Sequence, residues 1–256
     1  EKDMTKGRPL PVILKFIIPL IIGNIFQQLY NMVDTIIVGR YVGADALAAV
    51  GSTGTIMFLI VGFAQGITAG FSVLTAQRFG AKDTEGVKIS VANGILLSLI
   101  FTIIISAFSM VSMHSLLKLM NTPDNIFEDA YTYIMIISAG IIATIFYNLL
   151  SSYLRAVGNS KIPLVFLVFS AALNVILDLV LIVNVKMGVA GAAYATVISQ
   201  GISAILCLIY IYLRIPSLAP NRHHWKLHGQ ESRNQLAVGI PMALQFAITA
   251  SGTMVM

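Results

Sequence analysis

The chain has 256 residues, 57% of them hydrophobic and only 11% charged, with a net charge of +5. Soluble domains carry about 25% charged residues, and no soluble fold of this length has enough interior to hide so much apolar side chain. The basic residues sit in short loops between apolar runs rather than on one face, which excludes a nucleic-acid surface.

Seven apolar runs follow one another, over about 13–39, 49–77, 89–113, 126–153, 162–184, 190–213 and 236–256. Each is long enough to cross a bilayer core as a helix. Lys2, Lys6, Arg8 and Lys15 precede the first run, but no small-residue cleavage site follows, so it reads as span one and not as a signal peptide. The connections "GRYVGADA", "GAKDTEG", "LLKLMNTPDN", "AVGNSKIP" and "NVKMG" are short and carry turn signals. The polar stretch 214–233 is longer and holds Pro216, Pro220, Trp225, His223, His224 and His228. The three histidines raise the question of a metal, but Glu231 is the only nearby carboxylate in sequence, and an interfacial loop is the better reading. Cys207, the single cysteine, lies within an apolar run. It permits neither an internal disulfide nor a cysteine metal site.

Charge by side sets the topology. With a cytoplasmic N-terminus, the inner segments carry thirteen basic residues: Lys2, Lys6, Arg8, Lys15, Arg78, Lys82, Lys88, Arg155, Lys161, Arg214, Arg222, Lys226 and Arg233. Only three, Arg40, Lys118 and Lys186, fall outside. The positive-inside rule favours this orientation. A seven-helix receptor or retinal protein would start outside, and span seven has no lysine for a Schiff base.

A shift of 222 residues lays Leu14, Ile18, Pro19, Met32 and Val33 over Leu236, Ile240, Pro241, Met254 and Val255. Both copies enter from the same side, as in a parallel repeat of six-helix halves. The expected organisation is a six-helix lobe over 1–213, a cytoplasmic linker over 214–233, and the first helix of a second lobe over 234–256. The fold class is an all-α membrane protein, with about twelve spans expected in the complete protein and a chain that stops early in its second half.

Of eleven acidic residues, only Asp34 and Asp178 lie well inside spans. A mid-membrane charge costs about 2.5 kcal/mol or more, so each marks a candidate functional site. Asp34 lies roughly 9 Å from the outer end of its helix, and Asp178 and Thr196 roughly 12 Å from theirs. Asn174 precedes Asp178 by one turn and shares its face. These oxygens suit a proton or a hard cation such as Na⁺. In span one, Asn24, Gln27, Asn31 and Asp34 form a polar stripe with Tyr30 beside it, suited to lining a cavity or a helix interface. Pro19 and Pro241 are candidate hinges. Gly62, Gly66 and Gly70, spaced by four, suit close helix packing. No phosphate-binding loop, nucleophile elbow, zinc-protease or aspartate-rich motif occurs, so neither an ATP-driven pump nor an enzyme is expected.

The stretches "PLIIGNIFQQLYNMVDTIIVGRYVGADALAAVG", "LRAVGNSKIP", "NVILDLVLI" and "GVAGAAYATVISQ" together resemble the multidrug and toxic compound extrusion (MATE) family, in its DNA-damage-inducible-like branch. The resemblance implies twelve helices in two lobes and a central cavity with alternating access. It implies efflux of cationic or amphipathic drugs in exchange for H⁺ or Na⁺, with no other cofactor. It implies a coupling site at Asp34, Asn174, Asp178 and Thr196, and a substrate cavity near Gln27 and Tyr30. A small drug-like substrate and membrane lipid are the expected partners, with nucleic acid excluded and a monomer expected. The expected location is the plasma membrane of a bacterium or archaeon. The alternatives are a lipid-linked oligosaccharide flippase, whose basic cavity residues have no counterpart here, and a channel or receptor subunit.

Overall fold

The computed structural model describes residues 8–255, with side chains described through residue 249. Lys2 and Lys6, and the side chains of Met254 and Val255 in the proposed repeat, lie outside that range. Among the described residues, eight α-helices follow in chain order: α1 Pro9–Tyr41, α2 Ala44–Gly80, α3 Thr84–Leu119, α4 Asp124–Ala139, α5 Ile141–Ala156, α6 Lys161–Asp178, α7 Val189–Arg214 and α8 Gly229–Val255. A π-helical turn, Leu179–Asn184, extends α6, and a short 3₁₀ turn, Arg222–His224, interrupts the linker. The end of the bundle that carries the eleven described residues of the basic set is called the basic end below, and the opposite end the far end.

Local sequence explains where helices start and stop. Pro9 opens α1, where its missing N–H costs nothing. Asp83 caps α3 by accepting from the Gly86 N–H at 2.9 Å. Three helices close with the same wrapped turn, in which an N–H reaches back five residues: Asp83 to Arg78 at 3.0 Å, Thr122 to Leu117 at 3.2 Å, and Asn159 to Leu154 at 3.0 Å. Each turn needs a left-handed residue, supplied by Lys82 (φ 60), Asn121 (φ 53) and Gly158 (φ 76).

Two expectations need correction. The run 126–153 is not one helix: α4 and α5 meet at a 49° bend at Gly140. A methyl group at Gly140 would collide with Val197 of α7, so the bend and the missing side chain together let α5 lie close along α7. Helix α8 begins at Gly229, so residues 229–233, read as linker, form its first turn. Among the described residues, five helices have the length and apolar character of a membrane span, or six if the bent pair counts as one. The apolar stretch of α8, read as span seven, runs from Leu236 past the last described side chain, and its described part carries no charged residue.

Helix α2 is the spine of the bundle. It packs against α3, α4, α5 and most extensively α8, while α6 and α7 pair with each other and α1 leans on α6. The α2–α8 crossing is close because it is built from small residues. A methyl group at Gly66 would come within 2.5 Å of the Ala243 backbone, and one at Gly70 would run into the backbone of Gly239. Gly62 is also buried on α2. The spacing-by-four glycines therefore mark a helix contact. Lipid offers no hydrophobic drive between helices, so this contact depends on backbone approach and van der Waals packing.

The consequence is a measurable asymmetry between glycines of one helix. Gly70→Ala is expected to cost about 1–3 kcal/mol through overpacking. Gly54→Ala, where an added methyl group meets nothing within 4 Å, should be neutral or slightly stabilising. Thermal unfolding in detergent, compared between the two variants, checks this.

Candidate functional site

The two carboxylates inside the spans meet. Asp34 on α1 faces Asp178 on α6 within hydrogen-bonding range. Asn174 and Asp178 are both fully buried, one turn apart on the face of α6 that packs on α7. Asn174 ties the cluster together when its amide is set by its neighbours. Its oxygen then accepts from the Thr196 backbone N–H at 3.1 Å, and its nitrogen donates to Asp178 Oδ2 at 2.8 Å. Thr196 Oγ1 donates to the Ala192 carbonyl one turn back, at 3.1 Å. The four residues singled out from sequence thus form one cluster across α1, α6 and α7.

Two tyrosines complete it. Tyr30, assigned from sequence to the cavity stripe, turns toward the cluster, and its hydroxyl reaches the Thr196 side chain. Tyr133 of α4, only 8% exposed, lies close enough to Asp34, Asp178 and Tyr30 to interact with them electrostatically. Sequence reasoning missed Tyr133. A tyrosine on the packed face of an apolar helix has the same local pattern as any core aromatic, and no spacing rule points from α4 to α1.

The helix geometry changes at the site itself. Asp178 is the last α-helical residue of α6, and the π-turn starts at Leu179. The Val185 N–H reaches back to Val180 at 3.0 Å, the wide register of a π-turn. Such turns are a common feature of functional sites. Gly191 of α7 seats this one: a methyl group there would stand 3.2 Å from Ile182 Cγ1 and 3.2 Å from the Leu181 backbone.

The donor set is all oxygen and carries net negative charge. Asp34 Oδ1 and Asp178 Oδ1 are buried with no hydrogen-bond partner among the described residues. Two carboxyl groups this close cannot both stay ionised in an apolar interior without a positive charge beside them. One proton or one hard cation fits these oxygens.

The remaining stripe residues separate from the cluster. Asn24 and Asn31 are exposed on α1, and Gln27 is half-buried. They lie along the least covered span, of which only 11% of the apolar window is buried. Pro19 and Pro241 both sit inside helices that continue through them.

The histidines of the linker find a different carboxylate from the one expected. His224 is buried and pairs through Nε2 with Glu85 Oε2 at 2.8 Å, while Glu231 pairs with Arg78. Glu85, His223 and His224 have ligand atoms within 4.8 Å of one another. His224 Nδ1, however, accepts from the Asn221 N–H at 2.9 Å. The ring proton must then sit on Nε2, the atom a metal would need. The arrangement suits a structural tie and not a metal centre.

A family model described as MatE matches residues 19–180. The probable multidrug resistance protein YpnP of Bacillus subtilis is 32% identical over 98% of this chain and 56% of its own length. DNA damage-inducible protein F of Escherichia coli is 28% identical over 76% of this chain and 42% of its own. A solved structure described as the outward-facing conformation of a multidrug resistance MATE family transporter of the MOP superfamily superposes with a TM-score of 0.87 at 29% identity. That match covers 96% of this chain and 55% of the other. The chain therefore spans about half the length of the curated relatives it matches.

Removing the central amide should loosen the cluster measurably. Asn174→Leu leaves Asp178 Oδ2 short of a donor and is expected to cost about 1–3 kcal/mol. Asn24→Leu, on the exposed stripe, should stay within about 0.5 kcal/mol of the parent. Melting temperatures of the two variants in the same detergent make the comparison.

Proposed function

Because this chain belongs to the MatE family, we propose that it forms the ion-coupling lobe of a secondary active efflux transporter. The transporter would export cationic or amphipathic drugs in exchange for H⁺ or Na⁺. The single observation that supports this reading is the Asp34–Asp178 pair, buried among α1, α6 and α7 with one unpartnered oxygen on each side chain.

Asp34, Asn174, Asp178 and Thr196 are the coupling residues in this reading, with Tyr30 and Tyr133 completing the shell. An ion arriving from the far end neutralises the pair. Neutralisation removes its attraction for a cationic substrate and relaxes the repulsion that held α1 and α6 in one arrangement. Substrate and ion thereby compete, and the ion acts only through its different affinity for the two arrangements. Asn24, Gln27 and Asn31 line the substrate path on the open face of α1, and Pro19 and Pro241 act as hinges. A cation finds no lysine or arginine along that stripe to repel it.

The basic end faces the cytoplasm, by the distribution of lysine and arginine. The N-terminus is then cytoplasmic, the membrane is the plasma membrane of a bacterium or archaeon, and the working unit is a monomer.

The test is ion-driven drug efflux in proteoliposomes. Asp34→Asn and Asp178→Asn should each lower gradient-driven efflux by at least ~100-fold, the loss of roughly 2.7 kcal/mol or more of ion-linked free energy. Both variants should bind a cationic substrate more weakly than the parent, because each lacks one of the charges that attract it. Wild-type efflux in both would remove the coupling role. Replacing a proton gradient with a Na⁺ gradient identifies the ion.

A further inference from the structure

A second buried polar cluster lies at the basic end, where α8 joins α2 and α3, and the coupling mechanism does not use it. Arg78, near the end of α2, forms an ion pair with Glu231 of α8 and donates Nη1 to the Gly86 carbonyl at 2.9 Å. Asn93 of α3 donates Nδ2 to Gln235 Oε1 at 2.9 Å. Its Oδ1 accepts from the His228 N–H at 3.0 Å and from Ser232 Oγ at 3.1 Å. Gln235 Nε2 in turn donates to the Ser90 carbonyl at 2.8 Å. Asn93 and Gln235 are fully buried and Glu231 is 4% exposed, while Arg78 keeps 29% of its side chain at the water edge.

We propose that Arg78, Asn93, Glu231 and Gln235 are positioning residues of the transport cycle, a latch that holds the basic end of α8 against α2 and α3. The latch keeps that end shut while the carboxyl pair exchanges its ion at the other. This rests on the transporter reading above.

The order of residues along α8 carries the inference. Glu231, Gln235, Gly239 and Ala243 recur every four residues and so share one face. Glu231 pairs with Arg78 at the water edge, and Gln235, one turn deeper, bonds Asn93 and Ser90 in full burial. Gly239 and Ala243 make the small-residue contact with Gly66 and Gly70 deeper in the bundle. A permanent joint in a membrane bundle gains from interlocking side chains along its depth. Here the inner contact is close backbone approach with Phe71 and Ile67 seated against Gly239, and among the described residues the side-chain hydrogen bonds from α8 to α2 and α3 lie at its basic end. Polar contacts at a mouth can be exchanged for water when the mouth opens, and the net difference per hydrogen bond is then small. Buried deeper, the same groups would have no replacement partner and the joint could not release. The linker supports the latch from outside: His224 is tied to Glu85, and His228 to Asn93.

Two measurements test the latch on the expressed protein in membrane vesicles. In the first, Asn93→Cys is combined with Ser232→Cys, and efflux is followed before oxidation, after it and after reduction. Oxidation is expected to arrest efflux and reduction to restore it. In the second, a membrane-impermeant maleimide is applied from the basic end to an Asn24→Cys reporter. Glu231→Gln and Arg78→Gln should each raise the labelling rate about tenfold, the effect of losing one charge-assisted hydrogen bond. Arg78→Lys should lie closer to the parent than Arg78→Gln does. Full turnover with the disulfide formed, or unchanged labelling in both charge-removing variants, overturns the latch. Labelling needs no ion gradient. A failed coupling reading would appear separately, as unimpaired efflux by Asp34→Asn and Asp178→Asn.

Discussion

Two carboxyl groups meeting inside hydrocarbon constrain most of what surrounds them. Asp34 and Asp178 cannot be solvated by lipid, and each oxygen needs a donor or a cation. Asn174 supplies one donor and is itself held by the Thr196 backbone. That chain of obligations joins α6 to α7 and leaves α1, through Asp34, as the element most sensitive to the charge of the pair. The polar atoms are therefore matched with small tolerance, except for one oxygen on each carboxyl group. The proposed coupling ion would fill that mismatch.

The irregularities of the backbone gather around the same place. The π-turn starts at the residue after Asp178, and the bend at Gly140 separates the helix bearing Tyr133 from the one lying along α7. Both irregularities are seated by close contacts to α7, through Gly191 and Val197. Straight helices would put these side chains at fixed intervals on cylinders. A wide turn and a bend re-aim them without breaking the membrane's demand that backbone groups stay hydrogen-bonded.

Polarity thus appears at two depths, handled in two ways. The carboxyl cluster is enclosed by three helices of one lobe, with tyrosines around it. The basic-end cluster joins helices across the linker and keeps one arginine at the water edge. Beyond the basic-end cluster, small residues of α2 and α8 meet so closely that an added methyl group at Gly66 or Gly70 would run into backbone. Helix α2 links the two regions, since it packs on both the helix that carries Tyr133 and the helix held at the mouth.

Much of this was legible in the sequence because a membrane restricts the choices so strongly. Apolar runs of spanning length, the bias of lysine and arginine, and two acids in apolar helices require no three-dimensional information to read. Helical spacing alone places Asn174 over Asp178 and the glycines of α2 on one face. Contacts between helices are another matter, since periodicity describes one cylinder at a time. Tyr133 joining the carboxyl pair, Tyr30 turning inward, Glu85 and not Glu231 serving His224, and the bend at Gly140 were decided by which faces pack together. So was the cluster at the basic end, whose residues are up to 153 positions apart in the chain. In sequence those residues read as ordinary loop-edge polarity, and only burial in a shared interface gives them a role.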